Sequence, residues 1–312
     1  MTDPLVSVCT ITYGHEAFIR RTIEGVMKQR TDFGVEMVIG NDASPDGTGP
    51  IIESCIAQYP GRIVYLNHEA NIGMMRNFMS VFKRCRGKYI ALLDGDDEWT
   101  DPEKLAKQVA VLESNADIAI SFHDTLVVSD SDAFEPYCSN GEFRTESSME
   151  DLIRKNFLQT CSVVYRGGIV TEFPDWFADL PAGDWPLHLL HAAHGRIHYL
   201  SDCMAKYRVH AGGIWSETGN IEKVKKWIPM CRTLDRHFGH KYTQLFQGYE
   251  MECELSIAAY STPVSPILEH LRRAIRLAKA GESRFPVAAC LIRFLRLLAG
   301  RMLKRAKSTA HA

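Results

Sequence analysis

Tyr89-Ile90-Ala91-Leu92-Leu93-Asp94-Gly95-Asp96-Asp97-Glu98-Trp99 decides how this chain is read. Five residues suited to a buried strand run straight into four acids within five positions. Carboxylates packed this closely repel one another. A strand end tolerates them only where a cation or fixed donors offset the charge. Asp94 and Asp96 are two apart, so on an extended backbone they point to the same side. That presents two hard oxygen ligands of the kind Mg²⁺ or Mn²⁺ takes. The plainer reading is a solvated acidic loop ahead of a helix. It suits Asp101 better, as an N-cap followed by Pro102 at the first helical position.

The surrounding chain alternates between strand-like and helix-like runs. Strands are expected at Leu5 to Thr12, Val35 to Gly40, Arg62 to Asn67, Lys88 to Leu93 and Ile118 to Phe122. Helices are expected at His15 to Gln29, Gly47 to Tyr59, Met74 to Cys85 and Pro102 to Ser114. Such alternation predicts an α/β fold: a mostly parallel sheet with helices on both faces. Ligands in these sheets collect at the carboxyl ends of strands. Thr12-Tyr13, Asn41-Asp42 and Asp94 to Asp97 all fall there, which makes that edge the candidate site. From 125 to 215 the rhythm is irregular, with strands expected at Cys161–Tyr165 and Ala205–Val209. Beyond 220 the chain reads helical, at Glu222–Phe238, Tyr242–Tyr260, Ile267–Ala280 and Val287–Lys307. This gives a domain over 1–216 and a helical C-terminal region over 217–312.

With 46% hydrophobic and 24% charged residues in 312, the composition fits a soluble chain of one large domain, or one domain with an appendage. Its net charge of −2 hides an asymmetry: residues 264–312 hold 11 Lys/Arg against 2 Asp/Glu. Nine cysteines form no CxxC pair and sit largely in apolar runs, so reduced, buried thiols and a cytoplasmic chain are expected. Met-Thr-Asp-Pro begins no signal peptide, and no 18-residue apolar window predicts a transmembrane helix. Gly47-Thr48-Gly49 lacks the third glycine of a dinucleotide fingerprint. Neither a GxxxxGK[ST] loop nor a GxSxG turn occurs. A sugar nucleotidyltransferase, which needs a glycine-rich phosphate loop, is disfavoured for the same reason.

Taken together, Val6-Ser7-Val8 through Thr12-Tyr13, Asn41-Asp42-Ala43-Ser44-Pro45-Asp46-Gly47-Thr48, Asn71-Ile72-Gly73 with Arg76-Asn77, and Leu93-Asp94-Gly95-Asp96-Asp97 resemble family 2 glycosyltransferases. Gly183-Asp184-Trp185 and Tyr207-Arg208-Val209-His210 are similar to two later motifs of that family. Each motif is short, but six in the family's order over about residues 4–216 are specific. The resemblance implies an inverting enzyme of GT-A (Rossmann-like) fold, taking a nucleotide-diphosphate sugar, a UDP-sugar first. The acceptor implied is a hydroxyl of a glycan or lipid-linked glycan of a bacterial-type surface polysaccharide.

The resemblance also implies roles. Asp96 is the direct ligand of Mn²⁺ or Mg²⁺, and His210 completes the metal shell, tilting the choice toward Mn²⁺. Asp94 lies near ribose or metal. Thr12, Tyr13, Asp42, Asn71 and Arg76 line the nucleotide-sugar site, with Tyr13 stacking on the base and Arg76 offering planar donors. Asp184 is the general base, and its position also suits an N-cap of a helix from Trp185 to Ala193. Two departures from the family pattern, Gly14 for a common Asn and Asn41 for a common acid, bear on donor selectivity.

Four histidines, His188, His191, His194 and His198, recur at helical spacing. With no interleaved carboxylate and no HExxH, they read as structural or surface residues. His123 stands nearer the site, and contact with sugar or a structural role are equally open to it. Trp185 and Trp215 suit either sugar stacking or the core. In the segment 287–307, Arg293, Arg296, Lys304 and Lys307 gather opposite Leu291, Leu295, Leu298, Ala299 and Met302. This basic amphipathic helix predicts docking on an anionic membrane surface at the inner face of the cell membrane. Packing on the acidic body, or a homodimer contact, is the competing expectation. Nucleic acid is not an expected partner. Two other classes stand as rivals: a catalytically silent nucleotide- or glycan-binding module of the same fold, and a membrane-associated scaffold.

Overall fold

A computed structural model of the chain describes residues 3–129, 137–139, 144–213, 220–260, 264–280, 292 and 294–296. The elements run β1 (Val6–Thr12), α1 (Ile19–Met27), β2 (Val35–Asn41), α2 (Thr48–Gln58), β3 (Ile63–Asn67), α3 (Met74–Arg84), β4 (Tyr89–Leu92), β5 (Glu98–Trp99) and α4 (Lys104–Ser114). They continue with β6 (Ile118–Ser129), β7 (Tyr137–Cys138), β8 (Glu146–Ser147), α5 (Met149–Arg154), β9 (Val164–Arg166), α6 (Asp184–Ala192) and β10 (Arg196–Val209). Last come α7 (Asn220–His237), α8 (Thr243–Tyr260) and α9 (Val264–Ala280). Two compact units result. One is Met1–Leu152 with Asn156–Gly213, the other Ile153–Lys155 with Ile214–Ala312.

In the first unit one sheet has the order β3-β2-β1-β4-β9-β6-β10-β5, flanked by helices. The long ladders are parallel: β1 with β2 and β4, β2 with β3, and β6 with β10. Short antiparallel strands interrupt them, with β9 between β4 and β6, and β5 and β8 against β10. The expected α/β class is therefore the observed one. β1 is buried at all but one position and β2 along its whole length, as strands become when both sheet faces are covered. Ile19, Ile23 and Val26 form the buried stripe of α1, at roughly 1.5–3 kcal/mol for each such side chain removed from water. α3 lies close to β2 because Gly40 has no side chain. A Cβ there would stand 2.2 Å from Asn77 Oδ1 and 2.3 Å from Val81.

Three expectations are corrected here. β6 continues to Ser129, well past Phe122. The stretch expected as a strand at Cys161–Tyr165 opens as a 3₁₀ turn, Thr160–Ser162, and only then becomes β9. The histidine run is not one helix. α6 ends at Ala192, and His198 lies on β10. Gly195 makes the turn, where a Cβ would approach the Asp117 carbonyl to 2.6 Å, and Arg196 then pairs with Ile118. Strand pairing outweighed a histidine spacing that spans too few turns to specify a helix.

The second unit packs Met251, Leu255, Ala258 and Ala259 of α8 with Ala274 and Ala278 of α9. Glu250 and Glu254, both buried on α8, pair with Arg232 and His270. Among the described residues no helix is long and apolar enough to cross a membrane. The segment 287–307, apart from 292 and 294–296, and Trp215 lie outside the described residues. All eight described cysteines are free thiols, five of them buried.

Candidate active site

Parallel pairing in register brings Thr12 beside Asn41, and Cys9 beside Leu92, so the loops after β1, β2 and β4 share one edge of the sheet. The first two loops are laced together. Gly14 N–H donates to Ser44 Oγ (3.1 Å), His15 N–H to Thr48 Oγ1 (2.9 Å), and Glu16 N–H to Asp46 Oδ2 (3.0 Å). Gly47 N–H returns a bond to Glu16 Oε2 (3.0 Å). Gly14 sits at φ 71°, in the left-handed region that Gly and Asn tolerate best, so its departure from the family's Asn keeps the backbone geometry. The turn leaves Tyr13 half exposed beside the site.

Asn41 is a loop holder. Its Nδ2 donates to Tyr65 Oη (3.1 Å) and Asn67 Oδ1 (3.0 Å), while its Oδ1 accepts from Ser44 N–H (3.2 Å). An acid lacks those donors. Asp42 is buried, and its two oxygens accept the N–H groups of Ile72 (2.7 Å) and Gly73 (2.9 Å). It thus shapes the loop bearing Asn71, whose Oδ1 also accepts from Gly73 N–H (3.1 Å). Arg76 is exposed on the first turn of α3.

The acidic loop after β4 is pinned from within. Asp97, buried, accepts from Arg208 N–H (2.9 Å), and Arg208 Nε donates to the Asp96 carbonyl (3.1 Å). These bonds tie β10 to the loop and bring His210 to the edge. His210 Nε2 stands 3.0 Å from Asp96 Oδ2, and His15 Nε2 stands 3.8 Å from the same oxygen. One ligand atom from each of His15, Asp96 and His210 lies within 4.8 Å of the others. Phe18 packs against His210 at a tilt of 52°, with ring centroids 4.8 Å apart.

Burial and crowding shift the acids of this edge in different directions. Burial, then the charges of Asp96 and Asp184, push Asp94 up to about 8. Burial and its acidic neighbours push Asp97 well above the carboxylate range. Burial also lifts Asp96, but the His210 hydrogen bond and the His15 and His210 charges outweigh it and hold the carboxyl low. Burial lowers His15. Two imidazole nitrogens and one carboxylate oxygen, set among further acids, are a donor set that fits a divalent transition ion such as Mn²⁺.

Asp184 opens α6, with Gly183 at the cap, so the expected helix starts one residue earlier. The carboxylate therefore sits where the helix dipole favours it. Burial raises its pKa against the lowering effect of the Trp185 and Asp184 N–H groups, and its Oδ1 is buried without a hydrogen-bond partner among the described residues. Asp101 accepts from Glu103 N–H (2.8 Å) in the turn before α4. Of the other residues singled out earlier, His123, Trp185, His188 and His191 are buried, while His194 is exposed and His198 half-buried. His188 meets Tyr165 Oη (2.5 Å), His191 Nδ1 faces the Leu187 carbonyl (2.9 Å), and His123 Nδ1 faces the Asp124 carbonyl (2.7 Å). Trp185 Nε1 donates to the Leu152 carbonyl (3.1 Å). His15 was missed in the sequence. Its one signal was a histidine three residues past Thr12, at a strand end already marked as part of the site.

The model of glycosyl transferase family 2 matches residues 7–167, and the chain belongs to that family. An uncharacterized protein of Mycobacterium tuberculosis is 40% identical over 222 residues, which is 71% of this chain and 63% of that protein. The chain thus spans less than two thirds of that relative's length. The putative teichuronic acid biosynthesis glycosyltransferase TuaG of Bacillus subtilis is 29% identical over 79% of this chain and 94% of its own. Among solved structures, S. aureus TarS 1–349 in complex with UDP-GlcNAc has a TM-score of 0.64 at 17% identity, covering 94% of this chain and 89% of its own. The mannosyltransferase PcManGT from Pyrobaculum calidifontis in complex with GDP-Man and Mn²⁺ has a TM-score of 0.54 at 15% identity, covering 97% and 88%. These structures share the GT-A fold with this chain.

Proposed function

We propose that the chain is a metal-dependent inverting glycosyltransferase. It moves a sugar from a nucleotide-diphosphate sugar, a UDP-sugar first, to a hydroxyl of a glycan or lipid-linked glycan. The observation that carries this is the convergence of Asp96 and His210 beside Asp94 and Asp184 at the carboxyl edge of the sheet. The UDP-GlcNAc complex of TarS and the Mn²⁺ complex of PcManGT support the same reading for a shared fold.

Asp96 and His210 would hold Mn²⁺ or Mg²⁺. The ion supplies Lewis-acid stabilisation to the departing nucleoside diphosphate. Tyr13 offers an aromatic face to the base, and Arg76 an exposed guanidinium to nucleotide or phosphate. Thr12, Asp42 and Asn71 fix the loops that form the nucleotide wall. Asp184 takes the proton of the acceptor hydroxyl as its oxygen bonds the anomeric carbon and the bond to the diphosphate breaks on the opposite face. One displacement inverts the centre, and no second carboxylate is required as nucleophile. The basic segment 287–307 would hold the enzyme at an anionic membrane surface. Deleting 286–312 should then abolish binding to anionic liposomes.

A thermal-shift panel of UDP, GDP, dTDP and CMP, each with and without Mn²⁺, tests the reading. A metal-dependent rise with one nucleotide is expected. No rise with any of them would contradict it, and donor binding without transfer would point to the silent module instead.

A further inference from the structure

We propose that His15 is the third protein ligand of the cation, that Thr12 positions it, and that the resulting two-nitrogen, one-oxygen set selects Mn²⁺ over Mg²⁺. The proposal rests on the metal site proposed above and deepens it. His15 stands in the β1–α1 loop, held by its N–H bond to Thr48 and by flanking bonds from Gly14 and Glu16. Its Nδ1 lies 3.1 Å from Thr12 Oγ1. With Nδ1–H donating to that hydroxyl, the lone pair is on Nε2, the atom that faces Asp96. Engaging the far ring nitrogen is how proteins fix the tautomer and aim of a metal-bound imidazole.

The spacing supports ligation over a direct contact. At 3.8 Å, His15 Nε2 is too far from Asp96 Oδ2 for a hydrogen bond. Ligand atoms about 2.1 Å from one ion stand about 3 Å apart when adjacent and about 4.2 Å apart when opposed. The separations of 3.0 Å and 3.8 Å fall in that interval. Gly95 makes the approach feasible. A Cβ there would lie 2.5 Å from Thr12 Oγ1 and 2.9 Å from His15 Nδ1. Thr12 is buried, so its hydroxyl serves the imidazole and not bulk solvent. Phe18 covers His210 on one side. Mg²⁺ prefers oxygen donors and binds imidazole weakly, whereas Mn²⁺ accepts both.

The test is pulsed EPR of full-length protein with MnCl₂ and UDP, alongside Mn²⁺ and Mg²⁺ affinities. The wild type should show two coordinated imidazole nitrogens, and His15→Ala one. His15→Ala should lose roughly 10–100-fold in Mn²⁺ affinity with little change for Mg²⁺. Thr12→Val should keep both nitrogens and lose about tenfold in Mn²⁺ affinity. His15→Asp, with an oxygen in place of the nitrogen, should narrow the discrimination between the ions. Circular dichroism establishes that each variant is folded, and the wild-type spectrum needs no variant. A single nitrogen in the wild type, or an unchanged spectrum in His15→Ala, overturns the proposal and leaves the transferase reading intact. Absence of bound Mn²⁺ in the wild type with any nucleotide overturns both.

Discussion

Two regions of the first unit bury titratable groups, and they differ in what those groups face. Between α4 and β6, Lys104 and His123 lie in the interior with Gln108. Lys104 Nζ donates to Gln108 Oε1 (2.7 Å) and stands 4.0 Å from the Trp99 ring, while Gln108 Nε2 donates to the Ser121 and Ser162 carbonyls (both 2.9 Å). Burial lowers Lys104 to about 7, and burial with the Lys104 charge pushes His123 well below its usual value. Burial favours the neutral form of both, within hydrogen-bonded packing. At the carboxyl edge burial likewise favours the neutral forms of Asp94, Asp97 and Asp184, and only Asp96 is held low, by the two histidines. A perturbed group is therefore not in itself a site. Ligand atoms of His15, Asp96 and His210 converging on one point are what separate the second region from the first.

Variants at the two regions put that contrast to the test. The largest effect is expected at the edge. Asp184→Asn should bind donor as the wild type does and lose roughly 10²–10⁴-fold in transfer rate, measured by release of nucleoside diphosphate. Asp94→Asn follows. The carboxyl of Asp94 is raised in the folded state, so the folded chain binds the extra proton and stability falls as pH rises from the ordinary carboxylate range to about 8. In metal-free protein, urea unfolding should show Asp94→Asn gaining on the wild type over that window.

Lys104 works in the opposite sense. Its folded pKa lies below the unfolded value, so the unfolded chain binds the extra proton and stability rises with pH above about 7. Between pH 7 and 9 the wild type should gain about 2 kcal/mol relative to Lys104→Met, read from paired urea titrations. The smallest effect is expected at Asn41→Asp, which removes the donors to Tyr65 and Asn67. It should cost about 1 kcal/mol in the same assay.

Much of this was legible where local pattern and tertiary role agree. The apolar runs of β1, β2 and β4 announced buried parallel strands, and the acids after Leu93 announced the edge. Tertiary pairing set what local pattern did not. β6 and β10 are longer than their apolar cores because each completes the other's ladder, which carried His198 off the expected helix and onto a strand. Lys104 becomes interior only where α4 is laid on β6. Asp42 reads as a free acceptor until the loop at Ile72 and Gly73 folds over it. His15 carries no motif of its own. Its role follows only from Thr12 and Gly95, which bring its ring toward Asp96 and His210.

On the proposed reading, Asp96 with its histidines couples a divalent ion to nucleotide binding. Calorimetric titration of UDP into wild type and Asp96→Ala, each with and without Mn²⁺, tests it most directly. Mn²⁺ should tighten UDP binding to the wild type by about tenfold or more, and Asp96→Ala should lose that gain. Equal UDP affinity with and without Mn²⁺ in the wild type, or an undiminished Mn²⁺ effect in Asp96→Ala, would contradict the account.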